Sequence, residues 1–368
     1  LETSGKIILK GLPVDELEDL MERHGYPRFR GRQLFRWIYR DRVTDFSVMT
    51  DLSKAFRAEL ADKFVIPKLK ALTRQKSADG TIKYVVGLPD GEKVESVFIP
   101  TEDRNTLCVS SQVGCKMACA FCATGWMKFT RHLKAWEIVD QLVALDFPEP
   151  VSNIVMMGMG EPFDNWDEVV RALKIFQDPL GPQIGKRHIT VSTVGLANKI
   201  QEFVDLNLGK LAISLHGTTD VQRGKIMPIN RKYPIATLLD TCRKIRFKGQ
   251  TRITWEYILI DGINDTDEDA HRLAKLLRGI PSKINLLAYN ENPFVPFKRP
   301  PEERVLRFQN ILLNEGYTTT YRRSRGRDIA AACGQLVTEV EKRVAARAAR
   351  AAGATPALAP AATAHAAP

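Results

Sequence analysis

The sequence predicts an α/β protein: a partial (β/α)6 barrel preceded by a small N-terminal helical domain and a β-hairpin extension. Three observations carry this. From residue 106 onward, short apolar segments rich in branched residues alternate with amphipathic ones, the pattern of parallel strands joined by helical crossovers. The first 67 residues carry their apolar side chains at three- and four-residue spacing. Between the two regions, Pro89-Asp90-Gly91 separates two alternating runs, a strong hairpin signal.

The elements follow in order. Residues 14–24, 31–39 and 52–63 are predicted helices of an accessory domain spanning 1–67. Residues 68–104 form the hairpin region, with strands at 68–74, 82–88 and 93–100. The barrel, 105–344, takes strands at 106–110, 153–157, 188–192, 211–216, 252–260 and 283–289. Helices are predicted at 134–145, 166–176, 197–206, 235–245, 267–277 and 301–314. A doubly wound open sheet is the alternative arrangement of the same units. Residues 345–368, rich in Ala and Pro, are expected to be a disordered tail.

The 368 residues, 44% of them hydrophobic, suffice for one large core and a smaller one. No apolar run approaches the roughly 20 residues of a membrane span, and no hydrophobic signal segment opens the chain, so a cytoplasmic protein is expected. Leu1 in place of Met is expected of a trimmed or alternatively initiated start. Six cysteines are too few for a disulfide scaffold. The net charge of +11 points to a polyanionic partner. Two clusters sharpen that to RNA: Arg28, Arg30, Arg32, Arg36, Arg40 and Arg42 interleaved with Phe29, Phe35, Trp37 and Tyr39, and the run from Tyr321 to Arg327.

Cys115, Cys119 and Cys122 form a CxxxCxxC loop after the first barrel strand. Three thiolates at this spacing suit a [4Fe-4S] cluster with one iron left open for substrate. A zinc site with Cys108 as fourth ligand is the bland reading, but structural zinc sites usually come as two short-spaced pairs. Gly158-Met159-Gly160-Glu161-Pro162 follows the second strand, where small residues admit a ligand to the backbone and Glu161 can accept from an ammonium. Ser192, the run Ser214-Leu215-His216, and Asn290 end later strands on the same face, where barrels keep their chemistry. Taken alone, His216 reads as a structural histidine, and Cys242 as an ordinary helix cysteine.

The cysteine loop, with Phe121 before its last cysteine, resembles the radical-SAM superfamily, whose open iron chelates S-adenosylmethionine. Residues 95–100, 107–115 and 331–336 together resemble the radical-SAM RNA adenine-C2 methyltransferases. This resemblance implies the radical-SAM form of the barrel and two S-adenosylmethionine molecules per turnover, with Gly160, Glu161, Ser192, Ser214, Leu215, His216 and Asn290 around the cosubstrate. It implies that Cys333 is methylated first, and that its methyl group then becomes a methylene radical that adds to the electron-poor carbon 2. Cys108 would release the product by forming a disulfide with Cys333, and Glu95 matches the family's proton acceptor. Which of Glu95 and Cys108 takes the ring proton stays open. The implied substrates are an adenine of 23S rRNA in the peptidyl-transferase region and the adenine 3′ of the tRNA anticodon. A flavodoxin-type electron donor and a monomer are expected. A sister enzyme that methylates carbon 8 is the nearest rival; a zinc-stabilised, non-catalytic ribosome-binding protein is a more distant one.

Overall fold

The structure, a computed structural model, describes residues 2–3, 5–247, 251–292 and 294–337; the tail expected from residue 345 lies outside them. Near the N-terminus, α1 (Val14–Arg23) buries Leu17, Leu20 and Met21, and α2 (Phe29–Tyr39) buries Leu34, Phe35, Ile38 and Tyr39. These side chains recur at helical spacing and form one stripe. Gly31 lets the two helices touch, since a Cβ there would stand 2.6 Å from the Glu18 backbone. At the start of α3 (Lys54–Lys63), the Ser53 hydroxyl accepts from the Phe56 amide. A small sheet of β1 (Glu2–Thr3), β2 (Lys6–Ile8) and β3 (Phe64–Val65) completes the unit; strands of two or three residues carry no readable alternation.

Aromatic side chains on α2 do a different job from the one their sequence suggests. Phe35 and Tyr39 are buried in the core, and the Trp37 indole donates to Asp51 at 2.5 Å. Arg28 pairs with Asp19 and Glu22, Arg32 with Glu18, and Arg36 with Asp51. Of the four rings, Phe29 alone is exposed, so this segment is not the stacking platform expected; its helical period turns the rings inward.

The hairpin region supplies β4 (Lys70–Lys76), β5 (Ile82–Gly87) and β6 (Lys93–Pro100), all antiparallel. β6 pairs antiparallel with β7 (Asn105–Cys108), the first barrel strand, with Val97 opposite Cys108. The extension is therefore a wing of the barrel sheet rather than a separate linker. β8 (Gln112–Val113) and β9 (Arg131–His132) form a ribbon that brackets the cysteine loop.

Parallel strands β10 (Asn153–Met156), β11 (Ile189–Thr193), β12 (Lys210–Ser214), β13 (Ile253–Leu259) and β14 (Ser282–Ala288) follow β7 in order. Each of the six predicted strands is present. A short seventh, β15 (Thr319–Tyr321), extends the row, giving an open ten-stranded sheet from β15 to β4. The predicted barrel helices correspond to α4 (Ala135–Val143), α5 (Trp166–Gln177), α6 (Ala197–Leu206), α8 (Ile235–Lys244), α9 (Asp267–Leu276) and α10 (Glu302–Asn314). The seven-residue α7 (Asp220–Ile226) lies between β12 and α8. No described helix is long and apolar enough to cross a membrane.

Strand alternation sorts the barrel residues. On β13, Ile253, Trp255, Tyr257 and Leu259 belong to the main apolar core, whereas Thr254, Glu256 and Ile258 line interior cavities. Cys108, Ser192, Ser214 and Asn285 take the same inward positions on their strands.

Candidate active site

Two cavities meet inside the barrel. The first, about 160 Å³, lies at the carboxyl ends of the strands and is lined by Cys115, Cys119, Cys122, Gly160, Glu161, Ser192, Ser214 and His216. The second, about 460 Å³, runs toward the amino ends and is lined in part by Cys108, Asn285 and Arg322. Cys333, Glu256, Met157, Leu287 and Arg322 line both, so they form the shared wall.

The cysteine loop is fixed from below. Arg223, fully buried on α7, donates to the carbonyls of Leu215 at 3.1 Å, Val194 at 2.8 Å and Tyr233 at 3.0 Å, and to the side chain of Asn230 at 2.9 Å. Burial lowers its guanidinium to about 10, while Cys119 and Asp220 nearby pull the other way. The Ala120 amide bonds the Ile226 carbonyl at the end of α7. Burial pushes the Cys115 thiol up to about 12, drives Cys119 well above its ordinary value, and raises Cys122. Among the described residues, no three His, Cys, Asp or Glu side chains are grouped to hold a single metal ion. Cys108 is not beside the loop but faces the second cavity, which removes the fourth ligand of the zinc reading. The three loop thiols converge on this cavity, and the fourth cysteine of its lining, Cys333, comes from a separate loop on the wall shared with the second cavity. Three thiols on one loop fit a cluster ligated at three corners. Binding iron there would release the protons that burial retains.

The glycine-rich segment after β10 packs on the chain leaving β7. The Met159 amide donates to Ser110 Oγ at 2.9 Å, and the Glu161 amide to Gln112 Oε1 at 2.8 Å. At Gly160, φ is +102° and a Cβ would stand 2.6 Å from Gln112, so the turn requires glycine. The Glu161 carboxylate accepts from the Val194 amide at 2.8 Å and the Phe163 amide at 3.0 Å. Burial still raises its carboxyl to about 7 against those bonds. His216 has φ +56° and accepts the Ile258 amide at Nδ1, 3.1 Å away, while its ring meets Phe121 edge-on. Burial, with Arg223 adding, lowers it to about 3, so it remains neutral at physiological pH.

Two expected contacts are indirect. Leu215 packs in the apolar core rather than lining the cavity, and its backbone contributes: the amide donates to the Glu256 main-chain carbonyl and the carbonyl accepts from Arg223. Asn290 donates to the Cys333 carbonyl at 3.1 Å and so holds the cysteine's own loop.

That loop, residues 322–337, is strapped to the β-wing. Ser77 donates to Asp328 at 2.6 Å, the Gly326 amide to Asp79 at 2.8 Å, and Lys83 to the Ala330 carbonyl at 3.3 Å. Glu95 on β6 accepts the Val337 amide at 2.8 Å and pairs with Lys83 at 3.3 Å; both charged side chains are 1% exposed. Glu95 lines neither cavity, so it stands one layer behind the position expected for it.

The sequence singles out neither Glu256 nor, beyond its membership of the basic run 321–327, Arg322 as part of this site. Burial raises the Glu256 carboxyl to about 7, opposed by Arg322 and by the 2.7 Å bond from Asn285. The Arg322 guanidinium is held up chiefly by Cys333, with Glu256 and Cys108 adding. A carboxylate centred in an otherwise apolar strand was the available signal for Glu256. Arg322 is one cation of a basic run whose pattern suggests RNA contact rather than a place beside Cys108 and Cys333.

Residues 109–276 match the family described as the radical SAM superfamily, and residues 7–66 match the ribosomal RNA large subunit methyltransferase N-terminal domain. The dual-specificity RNA methyltransferase RlmN of Geobacter sulfurreducens is 50% identical, covering 90% of this chain and 92% of its own. Its namesake in Anaeromyxobacter sp. is 47% identical, covering 90% of each chain. The crystal structure of a radical SAM methyltransferase from Sphaerobacter thermophilus is similar with a TM-score of 0.84 at 44% identity, over 90% of this chain and 99% of that one.

Proposed function

The chain belongs to the radical-SAM dual-specificity RNA methyltransferases, and from that premise we propose that it methylates carbon 2 of an adenine in 23S rRNA and of the adenine 3′ of the tRNA anticodon, using Cys333 as methyl carrier. The observation that carries this reading is that Cys333 lies on the wall shared by the two cavities, with the three loop cysteines on one side and Cys108 on the other.

Cys115, Cys119 and Cys122 would hold a [4Fe-4S] cluster. When bound, the cluster supplies the electron that splits S-adenosylmethionine homolytically. Glu161, ionised, would accept from the ammonium of the cosubstrate, with the Gly160 turn admitting its backbone and Ser192 and Ser214 offering hydroxyls from neighbouring strand ends. His216, neutral, would bring no competing charge to a cationic ligand. Two molecules serve one turnover, the first giving its methyl to Cys333 with loss of the thiol proton.

On the far side, an adenine extruded from its loop would enter the second cavity. Carbon 2 lies between two ring nitrogens and cannot attack a sulfonium methyl, so the carbon unit must come from a carrier held against it. Release requires the Cys108 thiolate to attack the Cys333 sulfur as the bond from that sulfur to the added carbon breaks. The adduct gives up its ring proton to a base and its unpaired electron to the electron-transfer chain that supplied the first one. The freed carbon takes a proton to become methyl, and an external thiol reduces the resulting disulfide before the next turnover. Burial, with Cys333 adding, pushes the Cys108 thiol up to about 12, and Arg322 opposes this; Arg322 is therefore assigned to stabilise that thiolate. For the ring proton, Cys108 and Glu256 line the cavity, whereas Glu95 is assigned to position the loop. A flavodoxin-type donor, a cytoplasmic location and a monomeric state complete the reading.

The relatives' name supports dual-specificity methylation over the carbon-8 and zinc-protein alternatives. The test is anaerobic reconstitution with iron, sulfide, reductant and S-adenosylmethionine, using unmodified rRNA and tRNA fragments. Nuclease digests should yield 2-methyladenosine together with 5′-deoxyadenosine. Formation of adenosylhomocysteine alone would overturn the proposal.

A further inference from the structure

The inward face of the barrel changes character along its length. Toward the amino ends it presents Thr106, Asn153, Thr190 and Thr254, where a (β/α) barrel ordinarily fills its interior with branched apolar side chains. At the outer rim stand Arg104, Arg187, Lys210 and Lys283. The first three are exposed and Lys283 is half-buried. Among the described residues none of the four forms an ion pair, and Glu256 is the only carboxylate in the whole lining. These cations face one another: the Lys210 ammonium is lowered by burial and then by Lys283, Arg104 and Arg187. Like charges gathered around a polar hollow repel, and an anion relieves that repulsion. The inner end of the same hollow is walled by Cys108 and Cys333.

We infer that this basic rim binds the backbone phosphates flanking the target adenine, so that the RNA strand enters at the amino ends of the barrel strands, opposite the cysteine loop. The inference rests on the RNA-methylating reading above and adds to it a door and its contacts. Along β14, the step from Lys283 to Leu287 spans four residues, about 13 Å at the strand rise, a depth that admits one extruded nucleotide. With phosphates held at the rim, the base points inward toward the two cysteines, while the cosubstrate occupies the other cavity. The two reactants then never share a mouth, and RNA can leave without displacing the cluster side.

The experiment compares wild type with Lys210→Glu/Lys283→Glu and, as a milder pair with no internal ion pair to break, Arg104→Gln/Arg187→Gln. RNA affinity is measured across a salt series with an unmodified tRNA anticodon stem-loop, and methyl incorporation on Cys333 is measured without RNA by mass spectrometry. The expected result is an affinity loss of about ten-fold or more and a log–log salt slope shallower by about 1.4, corresponding to two single-strand phosphate contacts. Cys333 methylation should persist. Unchanged affinity and slope in both pairs, with Cys333 still methylated, would overturn the proposed entry. Wild-type protein that neither binds the stem-loop nor acquires the methyl group would instead overturn the functional reading on which it rests.

Discussion

The amide of Ala123 donates to the carbonyl of Gly334 at 2.7 Å, so the residue after the last loop cysteine is bonded directly to the residue after Cys333. Beside it, Thr124 Oγ1 donates to the Leu336 carbonyl at 2.7 Å. The Cys333 loop is thus registered against the loop of Cys115, Cys119 and Cys122 by one main-chain bond and one side-chain bond. Thr124→Val removes one of these and should cost about 1 kcal/mol of local stability. It should slow methyl incorporation on Cys333 while leaving iron content unchanged. Equal loss of iron and methylation would show that the bond serves the loop and not the carrier.

The proposed mechanism gives Cys333 and Cys108 separable tasks. Cys333→Ala should abolish RNA methylation, and intact turnover by that variant would refute the carrier role. Cys108→Ala should accumulate a covalent protein–RNA adduct, seen as a band that survives denaturing electrophoresis and disappears on proteolysis. Arg322→Met should produce the same adduct more weakly, because the Cys108 thiol then loses the cation that opposes its upward shift. Absence of adduct from both variants would remove the disulfide-release step.

Much of this arrangement was legible in the residues. The six barrel segments read as strands because they are short, apolar and rich in branched residues, and the CxxxCxxC spacing places three thiols on one loop. What escaped was set by tertiary partners. β15 has three residues and α7 seven, too few to display a period. Phe35 and Tyr39 sit in a basic run that suggests nucleic acid, yet their spacing buries them between helices. Glu95 lies in a motif that suggests chemistry, while its carboxylate is committed to Lys83 and the Val337 amide. A carboxylate among apolar neighbours marks Glu256 as unusual, but no local pattern announces that it and Arg322 face two cavities.

Cosubstrate affinity should depend on pH through Glu161. Burial raises its carboxyl from 4.5 to about 7. In the free fold that shift favours stability below the unfolded value and is lost as pH rises through about 7. Binding runs the other way, because an ammonium needs the carboxylate. Calorimetric affinity for S-adenosylmethionine should therefore tighten between about pH 6 and 8 as the group ionises, and Glu161→Gln should bind weakly with a flat profile. A wild-type affinity that does not change over this range would exclude Glu161 as the ammonium acceptor.

The N-terminal domain is docked through one buried ion pair, which makes its attachment testable. Lys10 meets Asp140 on α4, with side chains 3% and 0% exposed, and Asp140 also accepts the Leu69 amide at 2.7 Å. Burial outweighs pairing at both ends: the Lys10 ammonium is lowered and the Asp140 carboxyl raised. Removing one partner strands the other, so Asp140→Ala should destabilise by about 3–5 kcal/mol in urea denaturation. Lys10→Met/Asp140→Leu should recover most of that loss, since it buries no unpaired charge, though the Leu69 amide stays unsatisfied at about 1–3 kcal/mol. If the single variant costs no more than the double, the pair contributes shape rather than charge complementarity, and docking rests on the neighbouring apolar contacts and the 3.0 Å pair of Arg171 on α5 with Glu16 on α1.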